Sequence, residues 1–243
     1  MAEIKTENVT YTANDTTLKG FLAYDAAVSG PRPGVLVVHE WWGVDDHIRD
    51  RVRKLAALGY TALAVDMYGG GKTANNPEAA GSLMNAVLSD IDVGVARFRA
   101  GRKLLAAHAS VDESRLAAIG YCFGGAVVLH AAKIGMDLAG VASFHGALGS
   151  MHRPARDEVK ARVLVCHGGA DQFVSDDDIA TFKQEMDAAG ADYRFIVYDG
   201  ALHGFTNPQA TANGEKYGLP LKYDADADER SWNDMQAFFN EIF

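Results

Sequence analysis

Short, continuously apolar runs alternate along this chain with segments of helical period, and that alternation narrows the fold more than any other feature. The runs fall at residues 35–38, 62–65, 116–119, 141–144, 163–166 and 195–197. They carry no polar residue at every second position, the pattern of strands covered on both faces, as parallel strands are. Between them, Ile48, Val52 and Leu55 follow Asp45-Asp46 at spacings of four and three, with Gly59 as the stop. Pro77 opens a second helical segment through Leu83 and Val87; Ile179, Phe182 and Met186 mark another, closed by Gly190. Trp232, Met235, Phe239 and Ile242 line one face of a final helix. Strands separated by helices imply βαβ units, hence an α/β fold with a doubly wound, mostly parallel sheet. Ahead of them, residues 9–12 and 18–24 flank the turn-forming pair Asn14-Asp15 and read as an N-terminal antiparallel hairpin. No internal repeat or Pro/Ser-rich linker divides the chain, so residues 1–243 are expected to form a single domain. Residues 207–228, rich in Ala, Asn, Gly and Asp, are expected to be an ordered surface loop.

Charge and cysteine content remove several classes of function. With 23 Lys+Arg against 32 Asp+Glu, the net charge is −9, and no basic stripe is available to neutralise nucleic-acid phosphates. The longest apolar runs are strand-sized, which argues against a membrane span. The opening Met1-Ala2-Glu3-Ile4-Lys5-Thr6-Glu7 has no basic-then-apolar signal pattern, so a cytoplasmic protein is expected. Two cysteines, Cys122 and Cys166, cannot build a disulfide framework, and neither has zinc-ligand spacing, so no metal and no cofactor are expected.

The segment that carries chemistry is Ile119-Gly120-Tyr121-Cys122-Phe123-Gly124-Gly125, where an apolar strand runs directly into an Ala/Val/Leu helix. This is a nucleophile elbow with Cys as the nucleophile: a tight turn presents the side chain, and small residues two positions either side let strand and helix approach. The thiol then sits at a helix N-terminus, whose partial positive charge favours thiolate. A buried structural cysteine in an ordinary βα turn is the competing interpretation. Cys166 lies in mid-strand without an elbow and is assigned to the core.

An elbow calls for an acid and then a histidine, in that chain order. Asp171 follows the strand at 163–166, and His203 follows the strand at 195–197. Both therefore belong to the carboxyl edge of the sheet, where open α/β sheets bind ligands. Among the other histidines, His108 and His130 fall in or beside helices and His47 in a first helical turn. His39, His145 and His167 lie near strand ends and could line the site, although a satisfied buried imidazole is the favoured reading of each. Asp176, Asp177 and Asp178 fit helix N-terminal charges. After the strand at 35–38 comes His39-Glu40-Trp41-Trp42-Gly43, the loop that supplies an oxyanion-hole amide in such a site, making the backbone N–H groups of Trp41 and Phe123 the candidate donors. Glu40 is open between a surface carboxylate and one close enough to the thiol to affect its ionisation. Trp41, Trp42, Tyr68 and Phe205 suggest an apolar substrate pocket, although aromatic residues at strand ends are as often core.

Together, the Gly-Tyr-Cys-Phe-Gly-Gly elbow, the Glu40 loop, His167-Gly168-Gly169-Ala170-Asp171, His203-Gly204-Phe205 and the Trp232…Phe238-Phe239 terminal helix resemble the dienelactone hydrolase family of the α/β-hydrolase fold. The resemblance implies a Cys122-His203-Asp171 triad, with Glu40 interacting with the thiol before substrate arrives. It also exposes departures. Dienelactone-cleaving members hold the substrate carboxylate with arginines, one of them four residues after the triad histidine, where this chain has Asn207. Another is expected after Tyr68, yet Lys72 is the only basic residue from Gly69 to Ala96. A small-molecule ester or lactone other than dienelactone, with neutral compounds among the candidates, is therefore the expected substrate, cleaved through a thioester acyl-enzyme. Rival expectations are a binding or thiol-redox-sensing protein on a hydrolase scaffold, and a thioesterase or peptidase. The sequence is silent on oligomeric state.

Overall fold

The computed structural model describes residues 2–149 and 151–243. They divide into two compact units, Met1–Ala118 and Ile119–Phe243.

The first unit opens with the expected hairpin. Strands β1 (Ile4–Ala13) and β2 (Thr16–Asp25) pair antiparallel from Ile4↔Asp25 to Ala13↔Thr16, and Asn14 takes a left-handed φ of 49° in the turn between them. Next come β3 (Arg32–Val38), α1 (Asp46–Ala57) and β4 (Thr61–Val65), with β3 and β4 parallel and β2 antiparallel to β4. This is one βαβ unit. All five β4 residues are buried, which is why the strand reads as an unbroken apolar run. Asp45 caps α1 by accepting the Ile48 N–H at 3.1 Å, and Ile48, Val52 and Leu55 are its buried stripe. Helix α2 (Pro77–Leu88) starts where Pro77 predicts, capped by Asn76.

Helix α3 (Ile91–Ala106) carries no signal that periodicity alone would register. Its buried residues are Gly94, Phe98, Gly101 and Leu105, correctly spaced but half of them glycine. A Cβ on Gly101 would come within 3.1 Å of Val65, so the helix lies close upon β4. Strand β5 (Val111–Tyr121) begins in the first unit and ends in the second.

The second unit continues with α4 (Phe123–Lys133), β6 (Gly140–Phe144), β7 (Arg162–Gly168), α5 (Asp176–Ala189) and β8 (Tyr193–Tyr198). Its strands run β6-β7-β8, parallel throughout. Ser175 and Asp178 form a reciprocal cap at the start of α5, and Gly190 ends it at φ 68°. The expected mostly parallel α/β architecture with an N-terminal antiparallel hairpin is thus observed. No helix among the described residues is long and apolar enough to cross a membrane.

The expectation of a loop over 207–228 is corrected. Helix α6 (Ala210–Tyr217) forms there, and α7 (Ala225–Ile242) begins before the stretch ends. Only Ala210 and Gly214 of α6 are buried, so it has no apolar stripe to read. A Cβ on Gly214 would sit 2.4 Å from the Leu221 carbonyl, so close backbone approach seats the helix instead of large side chains. In α7 the buried face is Met235, Phe238 and Phe239, with Trp232 and Ile242 only half-buried.

Asp66 organises the backbone after β4. Its carboxylate, 1% exposed, accepts N–H groups from Lys19 (2.9 Å), Tyr68 (2.9 Å), Gly69 (2.8 Å) and Gly71 (2.8 Å). It thereby holds a run of three left-handed glycines, Gly69, Gly70 and Gly71, against β2. Asp66→Ala strands buried donors and should lower stability by about 3 kcal/mol. Urea unfolding checks this, and a loss within experimental error would show that water replaces the carboxylate.

Candidate active site

Cys122 stands between β5 and α4 with φ 53° and ψ −115°, a conformation costly for a residue with a Cβ. The sequence around it makes the turn possible. A Cβ on Gly120 would lie 2.0 Å from the Gly124 carbonyl oxygen, so strand and helix can meet there only without one. A Cβ on Gly125 would lie 2.6 Å from Ser143 Oγ and 2.7 Å from Gly146 Cα, seating α4 against the end of β6. The Cys122 N–H donates to the Phe144 carbonyl at 3.0 Å, fixing the turn to that same strand.

The two cysteines separate as their contexts suggest. Cys122 is part-exposed, whereas Cys166 is buried within β7. Tyr198 Oη lies 3.5 Å from Cys166 Sγ, and burial pushes that thiol up to about 12, leaving it a protonated core residue.

Asp171 and His203 sit on loops laced to each other. The Gly169 N–H donates to the Tyr198 carbonyl at 2.8 Å and the Ala170 N–H to the Ala201 carbonyl at 3.0 Å. Asp171 Oδ2 accepts from His203 Nδ1 at 2.8 Å, and its Oδ1 accepts the Phe173 N–H at 2.9 Å. With Nδ1 committed to Asp171, Nε2 is the ring atom left to interact with the Cys122 sulfur. Burial alone would lower the imidazole pKa. The charge of the Cys122 sulfur and the hydrogen bonds to Asp171 and Cys122 outweigh it and hold His203 at about 10. The 207–228 stretch belongs to this support: Leu221 forms a β-bridge with His203, the Lys222 N–H donates to the His203 carbonyl, and the Asp224 N–H to that of Phe205.

The structure thus brings Cys122, Asp171 and His203 together in the second unit. The remaining candidates there are Phe123, the first residue of α4, and Phe205, which is wholly buried against His145 and Tyr198. Glu40, Trp41, Trp42 and Tyr68 gather in the first unit. His39 Nε2 accepts the Met67 N–H, and its Nδ1 bonds the Glu40 carbonyl, so the ring is a satisfied buried imidazole that burial lowers to about 4. Tyr68 Oη donates to the Trp41 carbonyl at 2.9 Å. Side chains therefore grip two successive peptides of the Glu40 loop. Glu40 is 4% exposed, so the surface-carboxylate interpretation does not hold.

Two further residues pack against His203: His145, which its strand-end position allowed at the site, and Phe173, which sequence reasoning missed. Phe173, 51% exposed, packs edge-on at 4.8 Å between ring centroids, and His145 packs against the same ring at 5.2 Å. Their positions, two residues past Asp171 and one past β6, are the only hints the sequence offers. No group of three or more His, Cys, Asp or Glu side chains able to hold a metal ion occurs among the described residues.

Because its folded pKa of about 10 exceeds the ordinary 6.5, the His203 proton stabilises the fold fully below about 6.5, and that contribution fades as pH rises through about 10. In NMR titrations, His203 Cε1–H should shift near pH 10 in the native protein. In Cys122→Ala the midpoint should fall, since the sulfur no longer favours the cation. An unmoved midpoint would mean that Cys122 and His203 do not interact.

The dienelactone hydrolase family matches the chain over residues 18–243. A crystal structure described as a dienelactone hydrolase-like promiscuous phosphotriesterase from metagenomic libraries is 36% identical, with a TM-score of 0.93 and 100% coverage of both chains. Protein usf of Aquifex pyrophilus is 27% identical over 237 residues, covering 96% of this chain and 97% of its own. A Methylorubrum extorquens protein provisionally named a carboxymethylenebutenolidase is 37% identical over 196 residues, or 74% of this chain and 65% of that one. With an α/β architecture and an elbow at Cys122 already in place, the match settles the family: the chain belongs to the dienelactone hydrolase family, with the α/β-hydrolase fold.

Proposed function

We propose that this protein hydrolyses carboxylic esters or lactones, with Cys122 as nucleophile, His203 as general base and acid, and Asp171 as the acid that orients the imidazole. The observation that carries the reading is the 2.8 Å hydrogen bond between His203 and Asp171, with the elbow sulfur of Cys122 near enough to act on the same imidazole. Because His203 is held at about 10, its Nε2 already carries the thiol proton in the resting pair, and Cys122 Sγ bonds to the substrate carbonyl carbon as that carbon's π electrons move onto oxygen. The tetrahedral intermediate collapses to a thioester when His203 returns that proton to the departing alkoxide. Water then gives a proton to His203 and attacks the thioester, and Cys122 leaves with the C–S electron pair, restoring the sulfur anion beside protonated His203. Asp171 stays ionised and holds the Nδ1–H tautomer throughout.

The family pattern assigns the oxyanion contacts to the backbone N–H groups of Phe123 and Trp41, and to Glu40 an influence on the thiol. Among the aromatic pocket candidates, Trp42 and Tyr68 stay in play, whereas Phe205, wholly buried against His145 and Tyr198, is a core residue. The steps need no metal or organic cofactor, and two free cysteines suit a reducing cytoplasm.

Asn207 supports a substrate without a carboxylate at that point. It is 2% exposed, and its side-chain oxygen accepts the Gln209 N–H at 2.9 Å, so it shapes the approach to α6 rather than serving as an anion clamp. The 36% identical phosphotriesterase favours phosphotriesters as a second, slower substrate class.

The test is hydrolysis of p-nitrophenyl acetate, with paraoxon as a parallel arm. Cys122→Ala and His203→Ala should each lower kcat/KM at least about 10³-fold. Equal rates for all three proteins would defeat the hydrolase reading and leave a thiol sensor. Strong preference for acyl-CoA or amide substrates would point instead to a thioesterase or peptidase.

A further inference from the structure

We propose that His145 is a positioning residue that, through Thr206, fixes the His203 imidazole in line with Asp171. The inference rests on the proposed role of His203 as the base.

His145 follows β6, and its backbone departs from ordinary geometry. It takes φ 40°, in the left-handed region that glycine adopts far more easily, while its N–H donates to the Cys166 carbonyl at 2.8 Å. A residue with a Cβ persists in such a conformation where its surroundings hold it there, commonly at functional sites. The side chain is wholly buried, and its contacts converge on one short segment. Nε2 shares a 2.8 Å hydrogen bond with Thr206 Oγ1, and the ring meets His203 at 5.2 Å and Phe205 at 5.1 Å between centroids. Thus one side chain touches three of the four residues from His203 to Thr206.

The main chain of that segment is already held by Lys222 and Asp224, so what a side-chain tether adds is the orientation of the ring. Gly204, at φ 74°, is the turning point, a static hinge, between His203 and the residues that follow. Asp171 holds one ring atom of His203, which fixes a point but not the plane of the imidazole. His145 closes one face of the ring and Phe173 meets it from its own loop, the two interplanar angles being 65° and 61°. The Thr206 hydrogen bond ties the far side of the Gly204 hinge to β6, the strand whose last residue also anchors the Cys122 turn. Nucleophile and base are referenced to the same strand end, so their separation is set by rigid structure.

The hydrogen bond can be removed without disturbing the packing. Thr206→Val is isosteric and lacks the hydroxyl; Thr206→Ser keeps it. We expect Thr206→Val to lower kcat for p-nitrophenyl acetate about tenfold at unchanged KM, because a base displaced by a fraction of an ångström loses rate and not substrate binding. Thr206→Ser should recover most of that loss. In ¹⁵N-histidine-labelled protein, the His203 Nδ1–H resonance should broaden or move upfield in Thr206→Val and stay in place in Thr206→Ser. A Thr206→Val protein with native kcat and a native resonance overturns the proposal. So do equal losses in both variants, which would make Thr206 a packing residue. Failure of the hydrolase reading is distinguishable: the native protein would then show no Cys122-dependent turnover, while the resonance comparison would still decide whether His145 and Thr206 orient the ring.

Discussion

The second unit depends on the contact between Gly120 and Gly124. A Cβ at Gly120 would stand 2.0 Å from a backbone oxygen, closer than any packed atom tolerates, so β5 and α4 can meet at this angle only where the side chain is hydrogen. Once they do, the residue between them is forced to φ 53° and its side chain is lifted onto the turn. The part-exposed thiol, the N–H donated to the end of β6 and the seating of α4 on Ser143 and Gly146 all follow. A stable protein has every reason to avoid such a turn, which is why its presence points to chemistry.

Around this rigid point, the acid and histidine are supplied by loops that would be mobile alone. Backbone hydrogen bonds lace the loops after β7 and β8 together, and the chain returning from α6 pairs with His203 itself. The energetic balance at His203 follows from this confinement. Burial disfavours the imidazolium, but the loops place Asp171 and Cys122 where their attraction exceeds the desolvation cost. In the first unit the same economy appears at Asp66, where one carboxylate satisfies four backbone donors and fixes the turn that ends in Tyr68 and the glycines.

What could be read in advance divides along physical lines. Strands buried on both faces betray themselves as unbroken apolar runs, and β3, β4, β6 and β7 lie where those runs fall. The elbow is legible because steric necessity writes glycine at fixed offsets. Asp171 and His203 stand at consecutive strand ends, so topology alone places them on neighbouring loops. Helices α3 and α6 are hard to read because glycine takes half of the buried positions of α3, and Ala210 and Gly214 are all that α6 buries, so close backbone approach weakens or removes the hydrophobic period. The contacts of His145 and Phe173 with His203 are harder to read for another reason: they join loops distant in sequence, and beyond the strand-end position of His145 no local pattern announces them.

The central claim is that Cys122, and no other group, carries the acyl intermediate. Intact-mass and peptide-mapping analysis of acid-quenched protein, sampled during turnover of p-nitrophenyl acetate, addresses it directly. The account predicts a single acetyl group on the Cys122 peptide, absent from Cys122→Ala. Acetyl retained in that variant, on Cys166 or on any hydroxyl, would contradict it.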